Sequence, residues 1–249
     1  MSKNGTCSNW NRVTSGVPQG SIFGPLLFLI YINDLRLNIK HSKRLLYADD
    51  LQIYIHSHPD NVSETILHLK SDISSIFDWS ISNKLTLNLD KIQAIAFGDA
   101  EELDEIYTSC TINIDNTQIA LKPSVKNLGV IFNSSLSWSE QIKQICRNVN
   151  FALYRLRYFR YLTDRSLRTT LVSSLVLPYL DYCSSAIGEL NQGQNATLQK
   201  LMNAGIRYIS GSRMRENISP IRLQMGWLSI YNHRLLLALT LIYKTLNTG

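Results

Sequence analysis

The sequence predicts an α+β first part followed by an all-helical second part. Three observations carry that expectation. Short apolar runs flank Asp49-Asp50, and Leu51, Ile53 and Ile55 alternate with Gln52 and Tyr54, the period of a strand. Ile66, Leu69, Ile73, Ile76 and Phe77 fall at helical spacing. After Trp138 every long segment reads as helix.

Taken in order, Trp10–Thr14 suits a short strand, and Ser15–Ser21, with two glycines and a proline, a loop. Pro25 suits the first turn of a helix, where its missing N–H costs nothing, and that helix is expected to reach Asn38. Leu45–Ala48 and Leu51–Ile55 form a hairpin around Asp49-Asp50. Asn61–Lys84 is a helix, and Lys91–Phe97, Ile112–Leu121 and Val125–Phe132 are strands. Helices follow over Gln141–Tyr161, Asp164–Tyr179, Gln194–Ser210 and Tyr231–Leu246. The division falls near Ser134–Ser139, giving expected domains 1–133 and 134–249.

Charge changes with architecture. Residues 1–150 hold 13 Lys and Arg against 15 Asp and Glu, a balance of −2. Residues 151–249 hold 12 against 4, a balance of +8. A basic helical half suggests a polyanionic partner. Cys7, Cys110, Cys146 and Cys183 are far apart with no Cys-x-x-Cys pair, which argues against a zinc knuckle and a disulfide scaffold. Ser2–Asn11 is polar, so no secretory leader is expected. The apolar runs Ile22–Ile32 and Leu235–Tyr243 are shorter than the ~20 residues of a membrane helix. An intracellular protein of the cytoplasm or nucleus, without a membrane partner, is expected.

Asp49 and Asp50 are adjacent acids in an apolar frame. Two neighbouring carboxylates repel, and a hard divalent cation such as Mg²⁺ relieves the repulsion. As a bare dipeptide, Asp-Asp is also an ordinary turn. The loop Ser15-Gly16-Val17-Pro18-Gln19-Gly20-Ser21 stands about thirty residues earlier. Its glycines permit unusual backbone and close approach, Gln19 offers a donor and an acceptor, and Ser21 a hydroxyl for a phosphate. Such a loop also serves as a plain strand–helix connector. His56 and His58 form a His-x-His with no third ligand at clear spacing, and read as an ordinary loop pair.

These segments resemble a known family. Thr14–Ser21 with Gly24-Pro25-Leu26-Leu27-Phe28 and Tyr31-Ile32-Asn33-Asp34-Leu35 is similar to the palm motif that handles template and nucleotide in non-LTR (LINE-like, jockey-type) retrotransposon reverse transcriptases. Tyr47-Ala48-Asp49-Asp50 matches the family's metal-binding turn. Leu85–Lys91 looks like the next palm motif, and Lys126–Val130 with Leu136-Ser137-Trp138 like the primer grip. Leu175–Cys183 resembles the helical thumb. Ile92 departs from the small hydroxyl residue usual after the lysine. Intron maturases and viral RNA polymerases fit less well: the former on the thumb segment, the latter on Ala48 and the Gly16–Ser21 loop.

The resemblance implies an incomplete palm followed by a thumb-like region, the C-terminal part of an RNA-directed DNA polymerase. Its reaction is nucleotidyl transfer, in which a primer 3′-hydroxyl attacks the α-phosphate of a deoxynucleotide and pyrophosphate leaves. Asp49 and Asp50 would hold Mg²⁺, or Mn²⁺, together with a further aspartate that the family carries upstream of the glycine loop. Lys91 would assist pyrophosphate. Pro18, Gln19, Gly20, Ser21 and Tyr47 would shape the nucleotide and template pocket. Arg155, Arg157, Arg160, Arg165 and Arg168 would hold phosphates of the RNA template and DNA primer, while some of the interleaved rings Tyr154, Tyr158, Phe159 and Tyr161 are expected in the core. Fourteen residues precede Ser15 and none is acidic, and the fingers are missing, so these 249 residues are expected to be inactive alone. The alternative is a non-enzymatic RNA- or DNA-binding remnant of a transposon.

Overall fold

The computed structural model describes residues 16, 17, 20–99, 103, 104, 106, 107, 110–114 and 117–247, with the secondary structure of 2, 3, 6 and 7. It divides into two compact units, Met1–Ala94 with Asp104–Leu121, and Ile95–Leu103 with Lys122–Gly249. The expected strand Trp10–Thr14 lies outside the described residues.

The first unit pairs β1 (Ser2–Lys3) with β2 (Thr6–Cys7), then continues with helix α1 (Gly24–Tyr31). Pro25 sits in the first turn of α1. The helix expected to reach Asn38 breaks at Ile32, and Asn33–Asn38 continues as a 3-10 turn. That break turns Ile32, Leu35 and Ile39 inward together, onto Ile76 and Trp79 of α2 (Val62–Ser82). The antiparallel hairpin of β3 (Lys43–Tyr47) and β4 (Asp50–Tyr54) rests on the same cluster through Leu51 and Ile53. Another face of α2 carries Leu69, Ile73 and Phe77 against the small hairpin of β5 (Ile112–Ile114) and β6 (Thr117–Ile119). Two strand expectations are corrected here. Lys91–Phe97 makes only a parallel bridge from Ala94 to Leu121, and Ile112–Leu121 is a hairpin instead of one strand.

The second unit opens with another hairpin, β7 (Ser124–Asn127) and β8 (Val130–Asn133), where a single strand had been expected. Leu128 and Gly129, with φ of 44° and 85°, make its tight turn. This hairpin falls in the same compact unit as the helices. Val130 and Phe132 pack with Trp138, and the Gln141 side chain accepts the Ile131 N–H at 2.9 Å. Helices α3 (Ser139–Arg157), α4 (Arg165–Leu175), α5 (Leu177–Asp181), α6 (Gln192–Ser210), α7 (Ser219–Gln224) and α8 (Ile230–Asn247) follow. The expected helix Asp164–Tyr179 is interrupted at Val176, just ahead of Pro178, which cannot donate a helical N–H. Asp164 caps α4, and Asn191 with Gln194 forms a capping box on α6.

The core of this unit joins Val149 and Leu153 of α3, Val172 of α4 and Ile206 and Ile209 of α6. Gly205 lets α4 and α6 approach, since a Cβ there would stand 3.1 Å from Val172 Cγ1. No helix of the described residues is long and apolar enough to cross a membrane.

Candidate active site

Asp49 and Asp50 lie at the tip of the β3–β4 hairpin, as the alternation in the sequence predicts. Ala48 and Asp49 form the turn, and Tyr47 pairs with Asp50 across it. Ala48 is left-handed at φ 51°, a conformation that costs an L-residue on the order of 1 kcal/mol. Both carboxylates and Tyr47 are exposed, and among the described residues neither carboxylate has a hydrogen-bond or ion-pair partner. Two free, solvent-facing oxygen donor groups suit Mg²⁺, which keeps several waters and takes one or two protein carboxylates. Among the described residues no cluster of three or more His, Cys, Asp or Glu can complete a metal cage.

The hairpin is aimed by a residue that the motif reading missed. Asp72 of α2 is buried, and its carboxylate accepts three consecutive backbone N–H groups at the entrance to β3. Lys40 donates at 2.9 Å to Oδ1, His41 at 3.0 Å to Oδ2, and Ser42 at 2.6 Å to Oδ2. Burial works to raise the Asp72 pKa, but these donors outweigh it and hold the acid below its ordinary value. The signal was present in the sequence: Asp72 sits among Leu69, Ile73, Ile76 and Trp79, on an otherwise apolar side of the helix. His41 also stacks on His68, rings parallel and 4.2 Å apart.

At the start of α1, the Ser21 hydroxyl accepts the Gly24 N–H at 3.1 Å and retains its own proton to donate. Gly20 has φ 85°, and nothing among the described residues lies within 4 Å of where its Cβ would be. Its glycine is required by backbone conformation, and the space over it is open. Pro18 and Gln19 lie outside the described residues. Lys91 is exposed on the 3-10 turn Leu89–Lys91, and among the described residues no hydrogen bond or ion pair joins it to Asp49 or Asp50. His58 pairs with exposed Asp60 at 3.1 Å, an ordinary loop contact.

In the helical unit the five candidate arginines separate. Arg155, Arg157 and Arg165 face solvent. Arg160 is half-buried, its guanidinium tucked where a side chain at Gly211 would collide. Arg168 donates to the Arg160 and Thr163 carbonyls at 2.8 and 2.6 Å, which commits it to holding the bend between α3 and α4. Tyr154, Tyr158, Phe159 and Tyr161, some of which were expected in the core, are all exposed. The stripe of α3 that packs inward is Ile142, Ile145, Val149, Leu153 and Leu156, and it leaves those rings outside. The Leu128–Gly129 turn is tied down by Tyr182, whose hydroxyl donates to the Leu128 carbonyl at 2.6 Å.

Arg234 was not singled out in the sequence. It is a half-buried cation from α8 that donates to the carbonyls of Ser184, Ile187 and Gly188, and burial lowers its pKa. Burial likewise pushes the Cys110 and Cys146 thiols up.

The family model described as reverse transcriptase (RNA-dependent DNA polymerase) matches residues 2–132, more than half of the chain. This chain belongs to the reverse transcriptase family. Relatives of the non-LTR kind bear out the resemblance. The chain is 21% identical over 222 residues to the RNA-directed DNA polymerase from mobile element jockey of Drosophila funebris, covering 85% of this chain and 24% of that protein. It is 21% identical over 225 residues to the jockey polymerase of Drosophila melanogaster, with the same coverage of each. It is 23% identical over 212 residues to the probable RNA-directed DNA polymerase from transposon X-element of the same fly, covering 82% of this chain and 22% of that protein. The chain therefore spans about a quarter of the length of the curated relatives it matches. No solved structure matches it.

Proposed function

We propose that this chain supplies part of the palm and the thumb of an RNA-directed DNA polymerase from a non-LTR retrotransposon, acting inside the cell on an RNA template, a DNA primer and deoxynucleotides. The observation that carries the reading is the hairpin, which presents Asp49 and Asp50 free and outward inside a segment that matches the family. In this reading Asp49 and Asp50 hold the divalent ions, Mg²⁺ or Mn²⁺, with a third carboxylate from outside the 249 residues. Bound there, the ions supply charge stabilisation for the attacking and leaving oxygens.

The chain's own groups do the positioning. Gly20 leaves room for a nucleotide over the loop, Pro18, Gln19 and Tyr47 would contribute to the same pocket, and Ser21 can donate its proton to a phosphate. Lys91 offsets the charge of departing pyrophosphate. Residues 1–133 supply the palm and residues 134–249 the thumb. The primer-grip hairpin Ser124–Asn133 packs on the helices of the thumb. Arg155, Arg157 and Arg165 bind phosphates without regard to sequence and with marked salt dependence. Arg160 and Arg168 shape the bend that presents them.

The test is primer extension on an RNA template with Mg²⁺, by the chain alone and by the chain joined behind the preceding segment of a jockey-type polymerase. The joined protein is expected to extend the primer by the templated sequence, and the chain alone is not. A folded joined protein that incorporates nothing would refute the proposal, and would favour a non-enzymatic nucleic-acid-binding role if the chain still binds template.

A further inference from the structure

Helix α3 carries a second face that phosphate binding alone does not use. Lys143, Arg147, Phe151, Tyr154, Arg155 and Tyr158 recur at helical spacing opposite the buried stripe and lie within an arc of about 120°. All six are exposed. Water-facing rings in a row are a feature that monomeric proteins seldom keep without a partner. The rings are also held in place. Tyr154 and Tyr158 meet edge to face at 5.1 Å between centroids, with their hydroxyls hydrogen-bonded to each other. The Arg155 guanidinium lies over the Phe151 ring, 5.8 Å from its centroid. At a rise of about 1.5 Å per residue, the rings from Phe151 to Tyr158 span about 10 Å of the helix.

Charge identifies the occupant. From Gln141 to Thr163 the chain has five basic residues, Lys143, Arg147, Arg155, Arg157 and Arg160, and no acidic one. The partner must be anionic and must also offer flat apolar faces to the rings. A duplex offers phosphates but hides its base faces in its own stack. An unpaired strand offers both, and arginines beside aromatic rings make the platform on which such strands stack. We propose that the outward stripe of α3 is a stacking site for an unpaired nucleic-acid strand, with bases on Phe151, Tyr154 and Tyr158 and phosphates on Lys143, Arg147 and Arg155. The inference rests on the polymerase reading only in taking the partner to be nucleic acid.

The experiment measures binding of the whole 249-residue chain by fluorescence anisotropy. The probes are a labelled 15-nucleotide oligouridine, the same strand made abasic, and a blunt RNA–DNA duplex of matched phosphate number. Three substitutions made together, Phe151→Leu, Tyr154→Leu and Tyr158→Leu, remove the rings while retaining helix formers, and circular dichroism verifies the fold. This variant is expected to bind oligouridine at least ~10-fold more weakly and the duplex within about two-fold of the wild type. Wild-type chain is expected to bind the abasic strand as weakly as the variant binds oligouridine. The combined Lys143→Gln, Arg147→Gln, Arg155→Gln variant is expected to weaken oligouridine binding and flatten its salt dependence.

Unchanged oligouridine binding without the rings would overturn the inference, as would an equal loss on strand and duplex. So would ring-dependent self-association in sedimentation with nucleic-acid binding intact, which would make the stripe a contact between copies. If the wild type holds duplex but not oligouridine, this inference fails and the polymerase proposal stands. If it holds neither, both lose their nucleic-acid partner.

Discussion

In the helical unit, twenty buried side chains among the described residues form one continuous apolar cluster, whereas the hairpin carrying Asp49 and Asp50 rests on a cluster of five. The helical unit is secured by depth. Val149, Val172 and Ile206 are wholly removed from solvent, and close packing at Gly205 joins two helices around them. The hairpin is secured by a polar device, the Asp72 carboxylate gripping three amides at the entrance to β3, while Leu45, Tyr47 and Tyr54 remain exposed along it. The candidate catalytic tip thus sits on the smaller cluster, and the deepest core lies in the other unit. A catalytic tip that must meet ions and nucleotide is served by exposure, and a unit that bears on a polymer is served by rigidity.

That contrast can be broken most strongly in the deep core. Leu153→Ala is expected to cost about 2–5 kcal/mol and to lower hydrogen-exchange protection throughout α3, α4 and α6 while leaving α2 and the β3–β4 hairpin protected. Equal loss of protection in the hairpin would mean that the two units unfold as one and would erase the comparison.

Asp72→Ala should do the reverse. It leaves the Lys40, His41 and Ser42 amides without their acceptor, at a cost of about 2–3 kcal/mol confined to the first unit. The same group sets an acid limit. Its folded pKa is depressed, so its stabilisation is complete above the unfolded value of about 4 and is lost as pH falls through the lower folded value. Exchange protection of the β3–β4 amides should therefore drop below about pH 4 in the wild type. In the Asp72→Asn protein it should vary less with pH. A wild-type hairpin that keeps its protection at such pH would contradict the assignment of Asp72 as its anchor.

The smallest effect concerns the tip itself. Ala48→Gly removes the left-handed strain at φ 51° but adds chain entropy to the unfolded state, so the hairpin should gain no more than about 1 kcal/mol. Thermal denaturation showing a marked loss would mean that the Ala48 methyl packs against something the exposed turn does not reveal.

Much of this was legible in residues and some was not. The hairpin could be read because Leu51 and Ile53 alternate with Gln52 and Tyr54 beside two acids, and α2 because Ile66, Leu69, Ile73, Ile76 and Phe77 keep helical spacing over about three turns. The strand expected at Lys91–Phe97 failed because the run makes an isolated bridge at Ala94 in place of a ladder, and β-propensity says nothing about pairing. The turn inside Val125–Phe132 was hidden because Leu128 adopts a positive φ that its side chain disfavours, leaving Gly129 as the one local hint. Some of the rings Tyr154, Tyr158, Phe159 and Tyr161 were expected in the core because aromatic residues usually are buried, yet Leu153 and Leu156 occupy the inward stripe and leave none for them. At the site, Asp49 and Asp50 are visible in the sequence as paired acids, whereas the difference between exposed Arg155 and committed Arg168 depends on carbonyls that only the fold brings near.

The central claim is that the Asp49–Asp50 turn is catalytic. Its most direct test is the single-turnover rate of primer extension by the chain joined behind a jockey-type upstream segment, compared between Asp49→Ala and Asp60→Ala, two exposed acids of the same unit. The account predicts a fall of roughly 10²–10³-fold or more for Asp49→Ala with Mg²⁺ and nucleotide saturating, and no change for Asp60→Ala. Equal rates in the two variants would contradict it.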